Sequence, residues 1–272
     1  MLYLFLSIIS SALIGNLLIL FSKDKRSSIL NIFLGNYFLA SAFSFISNDT
    51  TISQVRPFDI IIGITTGFLF LFNFIIYQRN IKENGLSLSV SAMRFSLLVP
   101  ILVSILFFKQ YVNPLNYLGS GFILFSFAIM KGSGSVKNLI WLFILFLITG
   151  LSETCIKLYD EYGLARQGFF ILMLFGSAFI FNLGLLFYKK VKFHYISFAY
   201  GMILGFPNQL TTKFFLLSLK SVPAPIAYPL MAACVVLICF LADITIWKRK
   251  FNLISYLAYL GIIIGVIFLN LR

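Results

Sequence analysis

The chain has 272 residues, of which 60% are hydrophobic and 11% are charged, and its mean hydropathy is +1.00. A soluble domain of this length carries roughly 25% charged residues, so this composition excludes a water-soluble globule. The net charge of +13 does not indicate a nucleic-acid-binding protein, because the Lys and Arg residues form short clusters between apolar runs and no basic arm or helix face. We expect no nucleic-acid partner and a lipid bilayer as the surroundings.

Ten apolar runs follow one another along the chain, and the connections between them leave no room for a soluble domain. A helix needs ~20 mostly apolar residues to cross a bilayer, and each run has about that length. Because backbone polar groups must find partners within the segment in lipid, we predict an all-α polytopic membrane protein with ten transmembrane helices. The runs are 2–21, 29–46, 58–77, 86–108, 115–130, 138–158, 168–188, 195–219, 222–246 and 252–270.

The sequence lacks the motifs of common catalytic and metal sites. Cys155, Cys234 and Cys239 lie inside apolar runs and have the spacing of neither a zinc site nor a disulfide framework. The single histidine, His194, lies in a connection, and no phosphate-binding loop, His-Glu-x-x-His motif or Ser/His/Asp set occurs. We therefore expect no metal, no cofactor and no enzymatic activity, and we exclude a nucleotide-hydrolysing pump within this chain.

The two halves of the sequence resemble each other weakly. With a gap of four residues added to a shift of 138, a Tyr-Leu-Gly segment at 117–119 aligns with the same segment at 259–261. We predict two repeats of five helices, 1–137 and 138–272, with a linker at 132–135. An odd number of spans per repeat makes the two insert in opposite directions, as an inverted repeat. Pairs aligned by the shift of 138 alone are Gly63 and Gly201, Gly67 and Gly205, Phe68 and Phe206, Lys82 and Lys220, and Gly85 and Pro223.

The last two predicted helices carry the clearest likeness to a known family. Ala-Tyr-Pro-Leu at 227–230 precedes an apolar helix, followed by Trp-Lys-Arg-Lys-Phe at 247–251 and Gly-Ile-Ile-Ile-Gly-Val at 261–266. In these segments and in its helix count, the chain resembles the drug/metabolite transporter superfamily, in its ten-helix EamA-like branch. Related segments of the first half are 84–87, 96–100, 107–110 and 119–121.

The resemblance implies a function and a place for the binding site. It implies a transporter with alternating access and a cavity bounded by helices three, four, eight and nine. The membrane we expect is the inner, cytoplasmic membrane of a bacterium. A multi-pass protein of this kind has the lipid bilayer and a small-molecule substrate as its partners.

Two features depart from the family pattern. Family members usually carry a Glu just after the fourth and ninth helices, where this chain has Lys109-Gln110 and Lys248-Arg249-Lys250. Members also usually keep both termini in the cytoplasm. Here the connections that follow odd-numbered helices hold 13 Lys and Arg residues, against five in the other connections and the C-terminus. The positive-inside rule therefore favours the inverted orientation, with both termini outside.

Five charged residues stand out within the predicted spans, where each costs ~2.5–3.5 kcal/mol and normally contacts a cavity or a partner. They are Arg94, Glu153, Lys157, Lys213 and Asp243. Asp243 lies one turn before a basic cluster, so we expect an interfacial salt bridge there. Lys213 either contacts substrate or extends its ammonium group to the membrane surface.

The positions of Glu153, Lys157 and Arg94 leave alternatives open. Glu153 and Lys157 are four residues apart on one helix face, an order that favours an ion pair. Glu153 can instead relay a proton or another cation, or Lys157 can extend to the surface. Arg94 precedes Pro100, which is expected to bend the helix. Its planar guanidinium suits a carboxylate or phosphate of the substrate, and the alternative is a tether to backbone carbonyls or to Glu153.

The densest polar patch within any span follows Pro207 in the eighth run. Pro207 weakens the helix and frees a carbonyl group. The polar side chains can bind either that carbonyl or a ligand. Asn73 occupies the matching place in the first half, and Tyr228 beside Pro229 offers an aromatic wall or packs structurally. The candidate substrate-binding residues are Arg94, Lys213, Asn208, Gln209, Asn73 and Tyr228, and the candidate coupling or ion-pair residues are Glu153 and Lys157.

These features predict a secondary transporter of a small polar organic metabolite, with protons as a candidate coupling ion. The five charged residues singled out above are three cations and two acids, and this balance favours an anionic or zwitterionic substrate. One alternative is a flippase for a lipid-linked sugar or phosphate, which requires a cavity open to lipid. Another is a non-transporting membrane scaffold, which has no need of charges inside its spans.

Overall fold

The computed structural model describes residues 1–22, 24, 28–48, 50, 55–84, 86–129, 138–246, 248 and 251–270. Within these residues the chain forms helices and no strands. The predicted linker at 132–135, Gly85, and the basic cluster except Lys248 lie outside the described residues. The helices are α1 (Leu2–Ser22), α2 (Ile29–Ile46), α3 (Pro57–Asn84), α4 (Leu86–Phe95), α5 (Leu98–Leu106), α6 (Pro114–Ile129), α7 (Leu139–Tyr162), α8 (Gln167–Tyr188), α9 (Tyr195–Leu219), α10 (Ala224–Thr245) and α11 (Leu253–Asn270).

The prediction of an all-helical, multi-pass membrane protein is confirmed. In the described part of the chain, seven helices are long and apolar enough to cross a membrane, namely α1, α2, α3, α7, α8, α10 and α11. Two further apolar stretches, Ala92–Leu106 and Pro114–Ile129, are shorter. Helix α9 is 25 residues long but carries the polar patch. The count of ten transmembrane helices stays a prediction.

The fourth apolar run, predicted as one helix over 86–108, is broken in two. Pro100 has no backbone N–H, so it cannot donate the helical hydrogen bond to the carbonyl of Ser96. That carbonyl instead accepts from Val99 at 2.9 Å, and the carbonyl of Arg94 accepts from Leu97 at 3.3 Å. These tighter bonds close α4 at Phe95, which leaves Arg94 in the last turn of that helix.

The chain divides into two compact units, each of which mixes helices from both halves of the sequence. The first unit consists of Phe72–Lys157 and Ser218–Arg272 together with Met1. The second unit consists of Leu2–Leu71 and Leu158–Leu217. The predicted boundary between the repeats, near residue 137, concerns correspondence in sequence and is not the boundary between these units.

In the first unit, α6 and α11 pack against each other in opposite directions. The Asn116 side chain donates to the carbonyl of Leu269 at 3.0 Å, while Ser126 lies beside Gly261 at the other end of the pair. Between these ends, a Cβ atom on Gly119 would lie 2.8 Å from the carbonyl oxygen of Gly265. The absence of side chains therefore lets the two backbones touch, as is common where helices associate in membranes.

In the second unit, α2 and α8 also pack in opposite directions. The Asn182 side chain donates to the carbonyl of Leu30 at 3.0 Å. Further along, the rings of Tyr37 and Phe175 lie 6.3 Å apart between centroids. A Cβ atom on Gly168, at the start of α8, would lie in van der Waals contact with Ser47 and Asn48, just after α2 ends. The start of α2 therefore meets the end of α8, and the end of α2 meets the start of α8.

Two glycines of the second unit, 138 residues apart, contact residues that are also 138 positions apart. A Cβ atom on Gly67 of α3 would meet three residues of α8, and one on Gly205 of α9 would meet three residues of α2. The residues of α8 are Leu174, Ser177 and Ala178, and those of α2 are Asn36, Leu39 and Ala40. The shift that aligns the glycines thus aligns each of their neighbours as well.

Two aromatic contacts obey the same shift. The rings of Phe68 and Phe181 are 5.5 Å apart at an interplanar angle of 81°. The rings of Phe206 and Phe43 are 5.6 Å apart at 86°. Phe68 corresponds to Phe206 and Phe43 to Phe181, so both members of each pair and the edge-on geometry between them are repeated.

We predict that Gly67→Ala and Gly205→Ala destabilise the protein. The new methyl group would overlap the backbone of the neighbouring helix, and such overpacking costs about 1–3 kcal/mol, more than the gain of about 0.8–1.0 kcal/mol in helix propensity. Gly176→Ala in α8 is the matched control, because a Cβ atom there meets nothing within 4 Å. Melting temperatures of the purified variants in detergent should fall for the first two alone. Equal stability of all three would contradict the close packing.

Candidate functional site

Polar side chains from three other helices lie near Arg94 in the first unit. Arg94 of α4 lies within electrostatic range of Tyr77 of α3, Glu153 of α7 and Cys239 of α10. We call these four residues the arginine centre. Each comes from a different segment of the chain, so the centre exists only when these helices are assembled.

The break before Pro100 places Arg94 at the C-terminal end of α4, where a positive charge is stabilised. The guanidinium belongs to the last turn of α4, and the carbonyl end of a helix attracts cations by about 0.3–1 kcal/mol. Arg94 and Glu153 are both partly buried. Among the described residues, their charged groups do not approach within the 4.0 Å of an ion pair, in contrast to Arg79 and Glu83, which are 3.0 Å apart. A guanidinium held near an acid without direct contact leaves its donors for another acceptor.

Tyr228 ties α10 to the helix that carries Glu153. Its side chain is 2% exposed, and its hydroxyl donates to the backbone carbonyl of Glu153 at 2.9 Å. This bond positions the turn of α7 from which the Glu153 side chain projects. Asn73 lies in the same unit, where its side-chain oxygen accepts a hydrogen bond from Thr149 at 2.7 Å.

Lys157 is fully buried in the first unit. Its ammonium nitrogen lies 5.6 Å from the centre of the Phe108 ring, within the range of a cation–π contact. A lysine that extends to the membrane surface would keep its ammonium in water, and full burial does not fit that alternative. The ion-pair and coupling roles of Glu153 and Lys157 stay predictions.

The polar patch of α9 belongs to the second unit. Asn208 donates to the side-chain oxygen of Asn36 at 3.1 Å, which links α9 to α2. The Thr211 hydroxyl donates to the carbonyl of Pro207, four residues earlier, at 2.8 Å. Lys213 is partly buried. Gln209 is 1% exposed, and its side-chain oxygen has no hydrogen-bond donor among the described residues.

The structure thus groups the predicted residues into two sets. Arg94, Glu153, Lys157, Asn73 and Tyr228 lie in the first unit, and Asn208, Gln209 and Lys213 lie in the second. Arg94 is brought near Glu153, and Tyr228 binds the backbone of Glu153. Among the residues that the structure describes, no three metal-ligating side chains come together.

Two residues of the arginine centre, Tyr77 and Cys239, were missed by the sequence analysis. Each lies four residues from a residue that was noted, Tyr77 after Asn73 and Cys239 before Asp243. Residues four apart share a helix face, so this spacing was the available signal. Asp243, expected at an interfacial salt bridge, lies within electrostatic range of Cys239.

Comparisons with known proteins identify the fold and no family. No protein-family model matches the chain, and no curated protein sequence matches it. A solved crystal structure, described only as that of a protein, superimposes with a TM-score of 0.76 at 12% sequence identity. The match covers 99% of this chain and 96% of that chain. Over the matched residues, the chain therefore adopts a fold that occurs in a solved structure.

We predict that Tyr228→Phe lowers the melting temperature of the purified protein. The substitution removes a buried donor to the Glu153 carbonyl, and the loss of such a bond costs about 0.5–1.5 kcal/mol. Tyr188→Phe is the control, since Tyr188 is 84% exposed. A Tyr228→Phe variant as stable as this control would show that the bond contributes nothing.

Proposed function

We propose that the chain is a secondary-active transporter that moves a small polar organic metabolite, anionic or zwitterionic, by alternating access. The observation that carries this proposal is the arginine centre. A charged side chain within a span is costly, so an Arg and a Glu held at partial burial by apolar helices indicate a polar site for a ligand. A structural scaffold gains nothing from this arrangement.

The second support is the repetition of contacts within the second unit. An inverted repeat makes corresponding helices meet in opposite directions, and the residue nearest the axis then meets its own counterpart. Tyr37 contacts Phe175, which is 138 positions later. The glycine and phenylalanine contacts described above carry the same offset.

The first unit supports the same proposal. A Cβ atom on Gly265 of α11 would lie 2.6 Å from the side chain of Ile123 of α6. These two residues are 142 positions apart, which equals the shift of 138 plus the gap of four residues inferred from sequence. If α4 and α5 together form one span, α6 and α11 are the fifth helices of two five-helix repeats, and α2 and α8 are the second helices. Ten spans arranged as two inverted repeats are thus part of the proposal.

Two repeats of one fold can exchange conformations, so that a site opens first to one side of the membrane and then to the other. This is the mechanism that the resemblance to the EamA-like drug/metabolite transporters implies. We include that family and a bacterial inner membrane in the proposal. What this chain supplies for itself is the fixed charge of Arg94, which can bind an acidic group of the substrate, and Glu153, which can carry a proton.

We predict that a ligand raises the melting temperature of the purified protein and that Arg94→Ala abolishes this effect. The screen uses classes of metabolite in separate pools, including lipid-linked sugars and phosphates, which a flippase would require. The matched control is Arg79→Ala, because Arg79 is exposed and pairs with Glu83 outside the arginine centre. Loss of a charge-assisted hydrogen bond weakens binding by about 1.5–3 kcal/mol, or roughly ten- to a hundredfold. No Arg94-dependent ligand in any class would contradict a substrate site at this residue.

We predict that Glu153→Gln removes the dependence of uptake on a pH gradient in proteoliposomes and preserves exchange of substrate. Glutamine keeps the size and polarity of the side chain but cannot bind and release a proton. Glu83→Gln is the control, since Glu83 is an acid of the same unit that pairs with Arg79. If uptake by Glu153→Gln still follows the gradient, the proton is carried elsewhere.

A further inference from the structure

An apolar groove opens in the second unit between α2, α3 and α8. Its volume is about 490 Å³, within the range of pockets that hold small ligands. Its lining contains one polar side chain, that of Ser177, whose hydroxyl donates to the carbonyl of Leu174 at 3.1 Å. The groove is lined by Phe45, Ile64, Leu172, Met173, Gly176, Ser177, Ile180 and Phe181.

The groove continues the surface that contacts the bilayer. The three helices that form it are all among those long and apolar enough to span a membrane. Ile180 is 65% exposed and Phe45 is 70% exposed at its rim. In a membrane, such apolar side chains on spanning helices lie against hydrocarbon.

Comparison of the aligned halves shows why the groove is open. Gly176 of α8 corresponds to Phe38 of α2 under the shift of 138 residues. The ring of Phe38 extends to α9, where it lies 5.7 Å from the ring of Phe198, and it also lies 5.8 Å from Phe179 of α8. A Cβ atom on Gly176 would meet nothing within 4 Å. A side chain thus fills the seam between α2 and α9, whereas the corresponding seam between α8 and α3 has none at this position.

We propose that this groove binds one acyl chain of a membrane phospholipid. The occupant must be apolar, because the one lining hydroxyl is already hydrogen-bonded within the protein. It must also come from the hydrocarbon layer, because the groove is continuous with the lipid-exposed surface. A hydrocarbon tail meets both conditions, and it lies beside Gly176, the position that Phe38 occupies in the other half. The acyl chain then lies between α3 and α8, the same two helices that are in close contact at Gly67.

The test counts the phospholipids that stay bound to the full-length protein after purification in detergent, by native mass spectrometry. Wild-type protein should retain about one phospholipid per chain. Gly176→Phe places a ring where the tail would lie and should reduce this retention about tenfold, the effect of losing a few methylene contacts. The matched control is Gly184→Phe, because Gly184 lies on the same helix, also has open space around it, and does not line the groove.

The reciprocal variant tests the comparison between the halves. Phe38→Gly should open a second groove and raise retention above that of the wild type. Adding dioleoylphosphatidylcholine to delipidated protein should raise the melting temperature of the wild type and of Gly184→Phe more than that of Gly176→Phe. This measurement also shows whether Gly176→Phe is folded.

Three results would overturn the proposal. Equal retention by wild type and Gly176→Phe, with no gain in Phe38→Gly, would mean that only unspecific boundary lipid is present. A dimer that becomes monomeric in Gly176→Phe, without a change in bound lipid, would make a second copy of this chain the occupant. Failure of Gly176→Phe to fold, together with unchanged retention in Phe38→Gly, would leave the groove as a packing defect. None of these results bears on transport through the arginine centre.

Discussion

Close contact between helix backbones is the constraint on which this fold depends. Lipid tails are as apolar as the side chains they would replace, so burial from water does not hold spanning helices together. Dispersion contacts must do so, and they require atoms at contact distance. Glycines supply that distance at Gly67 and Gly205 in the second unit and at Gly119 and Gly265 in the first. Aromatic rings such as those of Phe68 and Phe181 then fill the space beside the glycines.

Most polar side chains inside the helices form hydrogen bonds within their own helix, and the arginine centre differs from them in this respect. Most are satisfied locally, as Ser104 is by the carbonyl of Pro100 and Thr66 by that of Ile62. Such bonds cost little and carry no information about a ligand. Arg94 differs, because its surroundings within electrostatic range are a carboxyl group, a phenol and a thiol from three other helices. A charge that is placed near an acid, but not against it, stays able to bind a substrate group.

The sequence predicted the helices well, because length and apolarity alone decide whether a segment can span lipid. It also indicated the shift of 138 residues, although the matching residues were mostly Gly and Phe, which are abundant here. The contacts of Gly67 and Gly205 give that shift a physical meaning that residue types alone lacked. The sequence does not reveal site residues whose role depends on neighbours from other helices. Tyr77 and Cys239 look like ordinary apolar-run residues until assembly brings them near Arg94.

The differences between corresponding positions are more informative than the likeness. Under the same shift, Arg94 corresponds to Ala232 and Glu153 to Gly15, so the charges of the arginine centre occur once. Phe38 likewise occupies a position where the other half has Gly176. Repeated contacts at the glycine seams maintain the fold, and they leave the remaining positions able to diverge. When the backbone is repeated and the side chains differ, the two halves can exchange conformations. The binding site still has one set of side chains and can select one kind of molecule.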